Sequence, residues 1–272
     1  MEREEVPGGR IHEAMRYSLL AGGKRLRPLL VLAAGRYLGI RRGALRAWAL
    51  AVEYLHTYSL IHDDLPAMDD DDFRRGVPTS HRVFGEALAI LAGDALLTEA
   101  FLCLAREGAV EFAPERVLAA MRVLAEAAGS RGLIAGQVAD LGADLHTADL
   151  GLLESIHRRK TATLITAAVA MPAVLVGETQ AQERLEQFGE HFGLAFQIVD
   201  DILNVVGDPR QMGKAQGTDA ARGKVTYPAL IGLDESRRWV QYHRDRALQA
   251  LQGHPRADAL ALLLEQAVER ER

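Results

Sequence analysis

Between Asp63 and Asp72, six of ten residues are aspartates, and Arg74 and Arg75 follow directly after Phe73. Like charges about 4 Å apart in water repel by only about 1 kcal/mol per pair, so charge alone fits an acidic loop in solvent. The setting points elsewhere: the cluster ends an apolar helical run that starts near Glu53. Carboxylates gathered at the end of a buried helix need cations. Oxygen-only ligands suit Mg²⁺, which is commonly held by one or two carboxylates plus substrate phosphates.

A second acidic pair, Asp200 and Asp201, stands inside the apolar run FQIVDDILNVVGD. At about 100° per residue, Gln197, Asp200 and Asn204 share one helix face. Asp is almost never fully buried unless paired. Two such helices, far apart in sequence, predict two carboxylate walls facing one cavity, with metal-bridged diphosphate between them.

These groups need helices to carry them. A helical pattern begins at Ile11 and breaks at Gly22-Gly23, before Lys24, Arg25, Arg27 and Pro28. Cations beside a helix N-terminus make an anion site; an interhelical turn with solvated bases is the plainer alternative. Leu29 to Tyr37 and Ala44 to Ile61 read as helices, and His56, seven residues before Asp63, shares its face. Pro66 should end the regular helix and let Asp63 and Asp69 converge. Val83 to Arg106 reads as one long apolar helix and Val117 to Ala128 as another. Gly136-Gln137 and Asp140 fall on a short helix, where they either order the second wall or make structural hydrogen bonds. Lys160 and Thr161 lie where the helix from Leu150 to Val169 turns from amphipathic to apolar; a lysine there often snorkels. Glu183 to Val206 is the second acidic helix. The glycine- and base-rich stretch after it is long enough for a lid, with Lys214 and Lys224 as phosphate contacts. Leu230 to Gln252 and Ala257 to Glu269 read as amphipathic helices.

The 272 residues are 49% hydrophobic, enough for one large helical domain over residues 1–272. A net charge of −5 argues against a general nucleic-acid binder. The single cysteine, Cys103, permits no intramolecular disulfide, consistent with a reducing cytoplasm. The first nine residues lack the apolar core of a secretory signal. Thr161 to Gly177 contains threonines and Pro172 and is short for a bilayer span, so it reads as a buried helix. β-Branched alternating runs are few, and the pattern holds no hairpin signal and no solenoid-length repeat. The expected class is all-α.

Seven stretches, in order, carry a resemblance: GGKRLRP from Gly22, HDDLPAMDDDDFRRG from His62, AGDALL from Ala92, GQVADL from Gly136, RRKTATLI from Arg158, FQIVDDILNVVGD from Phe196 and GKVTYPAL from Gly223. With these the chain resembles the trans-polyprenyl diphosphate synthases, nearest the bacterial farnesyl type. The resemblance implies an isoprenoid-synthase helical bundle with a central cavity, and head-to-tail transfer onto isopentenyl diphosphate from dimethylallyl or geranyl diphosphate. It implies Mg²⁺, three ions with bound diphosphate, on Asp63, Asp64, Asp69, Asp200 and Asn204. Lys24, Arg27, His56 and Arg75 would hold isopentenyl diphosphate; Arg74, Lys160 and Lys224 would hold the allylic diphosphate, with Lys214 in support. Thr161 and Gln197 would turn oxygen toward the developing cation. Tyr58 and Ser59, five and four residues before Asp63, would set product length, and a bulky Tyr58 implies fifteen carbons. A homodimer is implied as well.

Two departures from the family pattern stand out. The second motif ends in Asn204 where the family has Asp, which removes a charge. The N-terminus reads as short by about one helix of 20 residues. The rivals are a geranylgeranyl or other short-chain synthase, a terpene cyclase, a non-catalytic subunit of a heteromeric synthase, and a metal-buffering helical protein. The basic positions at Lys24, Arg27 and His56 argue against the cyclase and the buffer. The intact first motif argues against the inactive subunit.

Overall fold

The computed structural model describes residues 9–108, 110–206 and 224–269. Within these the chain is almost wholly helical. Helices α1 (Arg10–Leu20), α2 (Leu26–Leu38) and α3 (Arg46–Asp63) form the first wall with α4 (Ser80–Phe84) and α5 (Glu86–Cys103). Helices α6 (Pro114–Ala128), α7 (Leu133–Leu141), α8 (Leu150–His157), α9 (Thr163–Val176) and α10 (Thr179–Val206) follow. Helices α11 (Tyr227–Ile231), α12 (Leu233–Leu251) and α13 (Asp258–Val268) complete the described chain.

Helix α9 is the centre. It is apolar on every side, as a helix must be when neighbours surround it, and residues such as Ile165, Ala168, Val169 and Met171 are solvent-free. Helices α2, α6 and α10 pack around it. Helix α3 packs on α5, and α10 also carries α12. Trp48, Leu55, Phe188 and Phe192 are buried in the same core. Two helical stretches, Glu86–Gly108 and Leu150–Val176, are long and apolar enough to cross a membrane; the apolar window of the second is 72% buried in the bundle, that of the first 33%.

Four local features depart from the expected elements. The helix expected over Val83 to Arg106 is broken at Gly85, whose φ of 84° is a left-handed backbone that L-residues rarely adopt. The one expected over Leu230 to Gln252 is interrupted in the same way at Gly232. A short antiparallel hairpin, β1 (Phe73–Arg74) with β2 (Val77–Pro78), closes the acidic loop through Arg75 and Gly76, at φ 54° and 80°. Two strands of two residues are too short for an alternation signal. Finally, a π-helical turn, Arg158–Ala162, lies between α8 and α9. Gly136 backs onto the Lys160 backbone there and Gly193 onto Ala162, so closely that a Cβ at either position would collide. Single π turns inside helices frequently mark functional sites.

Candidate active site

The first wall is built where α3 stops. Asp63 ends α3, and the amide of Asp69 donates back to the Asp63 carbonyl at 2.9 Å across the Pro66 turn. The break folds residues 63 and 69 onto each other, as the proline required. Burial raises the Asp63 carboxyl to about 6; Lys160 opposes the rise and Asp69 adds to it. Asp69 differs: burial also works against its charge, but Lys224 and Lys160 hold its carboxyl below the ordinary value. Lys224 Nζ lies 3.0 Å from Asp69 Oδ1.

Asp64 points to another partner. Its carboxylate takes a forked contact from Arg74, with Nε 2.8 Å from both oxygens and Nη2 2.5 Å from Oδ1. Bidentate pairs of this kind combine strength with fixed geometry. Asp64 is 3% exposed, so its carboxylate anchors Arg74 from below. Arg75, next in the turn, reaches the Gly22 carbonyl at 2.7 Å and lies over Gly23, where a Cβ would meet its guanidinium and where φ is 103°. The hairpin therefore sends Arg74 to the first acidic wall and Arg75 to the glycine pair.

Around that pair lies a cavity of about 320 Å³ lined by Lys24, Arg27, Glu53, His56, Arg75 and Phe196, among others. Arg25 starts α2 from a left-handed backbone, φ 51°. Its guanidinium meets buried Glu53 at 2.5 Å and the Leu19 carbonyl at 2.5 Å. Arg27 is buried; desolvation pushes it down to about 10, against the pull of Glu53 and Asp200, so it stays charged at neutral pH. Arg27 Nη1 lies 3.2 Å from His56 Nε2. An arginine can only donate, so this nitrogen accepts. Burial, then the charges of Arg27 and Arg75, drive the His56 imidazole far below its usual range and keep it neutral.

The second wall stands on α10. Asp201 is 4% exposed. Its Oδ2 accepts from the Tyr227 amide at 3.0 Å and lies 3.5 Å from His157 Nε2. Its Oδ1 accepts from Gln197 Nε2 at 3.3 Å. Gln197 Oε1 accepts in turn from the Thr161 hydroxyl at 2.7 Å. Lys160 Nζ pairs with Asp140 Oδ2 at 2.6 Å, so Asp140 supports the lysine directly. Gln137 is buried, and neither end of its amide has a partner among the described residues, so no structural hydrogen bond accounts for it. Asn204 follows on α10, half-buried. Lys214 lies outside the described residues.

Tyr58 is buried one turn and a half before Asp63, with its ring edge-on to His62 at 5.8 Å; Ser59, beside it, donates to the His56 carbonyl at 2.9 Å. Burial pushes the Tyr58 phenol up to about 12. His157 and Tyr227, stacked with ring centres 5.4 Å apart, were not among the expected site residues. Neither carries a charge pattern or spacing that singles it out in the sequence.

Among the described residues, no three His, Cys, Asp or Glu side chains converge as a ready metal cage. Mg²⁺ is usually held by one or two carboxylates plus substrate phosphates. Asp63 fits the role: a carboxyl raised by burial and by Asp69 gains most when a divalent ion arrives.

The chain belongs to the polyprenyl synthetase family, whose model matches residues 9–261. It is a trans-prenyl diphosphate synthase, and hence a prenyltransferase. It is 50% identical to farnesyl diphosphate synthase of Escherichia coli over 241 residues, 88% of this chain and 81% of the relative. It is also 50% identical to geranylgeranyl pyrophosphate synthase 11, chloroplastic, of Arabidopsis thaliana over 249 residues, 89% of this chain and 69% of the relative. A geranyltransferase from Helicobacter pylori, solved in complex with magnesium and isoprenyl diphosphate, superposes with a TM-score of 0.86 at 32% identity, over 99% of this chain and 91% of that one. Relatives making different chain lengths are thus equally similar, and overall identity does not choose between them.

Proposed function

We propose that this protein makes farnesyl diphosphate, adding isopentenyl diphosphate to dimethylallyl and then geranyl diphosphate. The observation that carries the fifteen-carbon reading is Tyr58: a bulky side chain, 5% exposed, one and a half turns below Asp63 on the same helix. An allylic tail growing down past Asp63 along α3 meets that ring. A geranylgeranyl product is the second reading, favoured by the equally similar plant relative.

The roles proposed for the residues are these. Asp63, Asp69 and Asp200, with Asn204 alongside, are the proposed metal ligands, and Asp64 acts through Arg74. Bound Mg²⁺, taken here as three ions, supplies Lewis-acid charge to the departing diphosphate. Arg74, Lys160 and Lys224 add fixed positive charge around the same group. Lys24, Arg27, His56 and Arg75 hold isopentenyl diphosphate in the cavity beside Gly22-Gly23. The allylic carbon–oxygen bond breaks, and the electron pair leaves with diphosphate. The double bond of isopentenyl diphosphate then forms the new carbon–carbon bond, and the released diphosphate takes the final proton. Thr161 and Gln197 face the cation with oxygen and do not attack it. Apolar walls exclude water that would quench it. We further propose a cytoplasmic homodimer, with Ile90, Leu91 and Leu102 on the exposed side of α5 as part of the contact.

The test is a product assay with Mg²⁺, dimethylallyl diphosphate and labelled isopentenyl diphosphate, followed by chromatography of the dephosphorylated alcohols. Farnesol is expected as the main product. Geranylgeraniol would overturn the length assignment and leave the class intact.

A further inference from the structure

Asp201 is half of the second acidic pair, yet its oxygens meet protein groups on three sides. Tyr227 donates its amide to Oδ2 at 3.0 Å, His157 Nε2 lies 3.5 Å from the same oxygen, and Gln197 donates to Oδ1 at 3.3 Å. An ionised carboxylate only accepts. The Gln197 amide must therefore turn its NH₂ toward Asp201 and its carbonyl the other way. That carbonyl takes the Thr161 hydroxyl proton at 2.7 Å. With its proton so committed, the Thr161 oxygen has only lone pairs left to offer. The direction of an amide is usually assigned from its hydrogen-bond network; here a charge dictates it.

We infer that Asp201 is a positioning residue: its charge sets the direction of the Gln197 amide, so that Thr161 and Gln197 present oxygen rather than N–H to the allylic carbon as it becomes cationic. The inference rests on the allylic prenyl-transfer reading above, and deepens it by giving the second aspartate of the pair a task separate from metal binding.

Asp201→Asn isolates the effect because it keeps the shape. The Asn carbonyl takes the place of Oδ2 and still accepts from Tyr227. Its NH₂ then faces Gln197, where a donor already stands. Gln197 relieves the clash by rotating its amide half a turn, which aims N–H at Thr161 and reverses the dipoles at the reacting carbon.

Two readouts test this. In the metal-free protein, the Gln197 side-chain amide resonances, assigned by their loss in Gln197→Leu, should shift in Asp201→Asn while the melting temperature stays near that of the parent. In steady state, kcat for geranyl diphosphate should fall on the order of 100-fold, the scale of a misdirected dipole at a charged transition state, with KM for isopentenyl diphosphate little changed. In a Gln197→Leu background the same substitution should cost almost nothing more. Equal losses of kcat in both backgrounds, or unmoved Gln197 resonances, would overturn the inference. Should Asp201→Asn fail to fold, the parent protein decides alone: Gln197 side-chain protons must exchange with solvent more slowly than those of exposed Gln252, and equally fast exchange sinks the idea. A parent protein without prenyl transfer would instead remove the proposed function, which the metal-free resonances do not depend on.

Discussion

Lys224 Nζ lies 3.0 Å from Asp69 Oδ1 although the two residues are 155 positions apart in the chain. The contact joins the segment before α11 to the first acidic wall, and it brings a cation to the carboxylates before any substrate does. Burial by itself would raise the Asp69 carboxyl; Lys224 reverses the sign.

Lys224→Ala should therefore raise KM for the allylic diphosphate and lower kcat, together by about 10- to 100-fold in kcat/KM, or roughly 1.4–2.7 kcal/mol of transition-state stabilisation. The linkage has a definite sign. A carboxyl held low in the folded state adds stability above its unfolded pKa, and that stability is lost as pH falls through the folded value. The stability gap between parent and variant should thus be present at neutral pH and close in acid, as read by chemical denaturation across the pH range.

Asp63 should behave in the opposite way. Its carboxyl is raised to about 6, first by burial, so the folded metal-free protein binds an extra proton between about 4 and 6. Stability in chelator should rise as pH falls through that window and be lost again as pH rises past 6. Asp63→Asn should flatten this dependence and match or exceed the parent in melting temperature at pH 8, while its Mg²⁺-dependent turnover falls at least about 100-fold. A functional group held at a cost to stability is a common trade.

Tyr58→Ala removes the ring below Asp63. Its products should shift toward twenty carbons and longer by chromatography of the alcohols, at the cost of about 3 kcal/mol of stability for an aromatic lost from a core. An unchanged farnesyl product would free Tyr58 of any part in length control.

Glu53→Gln leaves Arg25 a neutral acceptor in place of its charged 2.5 Å partner and removes the strongest opposing charge acting on buried Arg27. Since the Arg25 side chain is one-third exposed, the loss should be about 1–2 kcal/mol rather than that of a fully buried pair. The KM for isopentenyl diphosphate should rise with little change in that for geranyl diphosphate, a split that steady-state kinetics can read directly.

The acidic helix ends, the role of Pro66 and the all-helical class were legible because each has a local cause: a charge in an apolar run, a missing amide hydrogen, a helical period. The lysines at 160 and 224 were legible only as members of motifs. What stayed hidden depends on contacts between distant segments. Nothing in the letters Asp63-Asp64 says that the backbone carbonyl of one takes the Asp69 amide while the carboxylate of its neighbour turns to Arg74; the turn of α3 into the loop decides that. His157 gives no signal in the sequence; only α11 brings Tyr227 against it. The π turn at Arg158–Ala162 has no composition of its own, and exists because Gly136 and Gly193 let two helices press on it. The breaks at Gly85 and Gly232 follow from single φ angles that an apolar pattern runs straight through.

In the proposed reading, the turn at Arg75 and Gly76 makes one short piece of backbone answerable to both substrates. Arg74 leaves it toward Asp64, on the proposed allylic side, and Arg75 toward Gly22, on the proposed isopentenyl side, so neither can be moved without disturbing its neighbour. Gly76 touches neither substrate group, and a methyl there would meet open space; the cost is only that of holding φ at 80°, about 1–2 kcal/mol. Gly76→Ala should nonetheless weaken both substrates in parallel, as slackening a shared rein affects both horses. Selection for a new allylic primer through this turn would carry the affinity for isopentenyl diphosphate along with it.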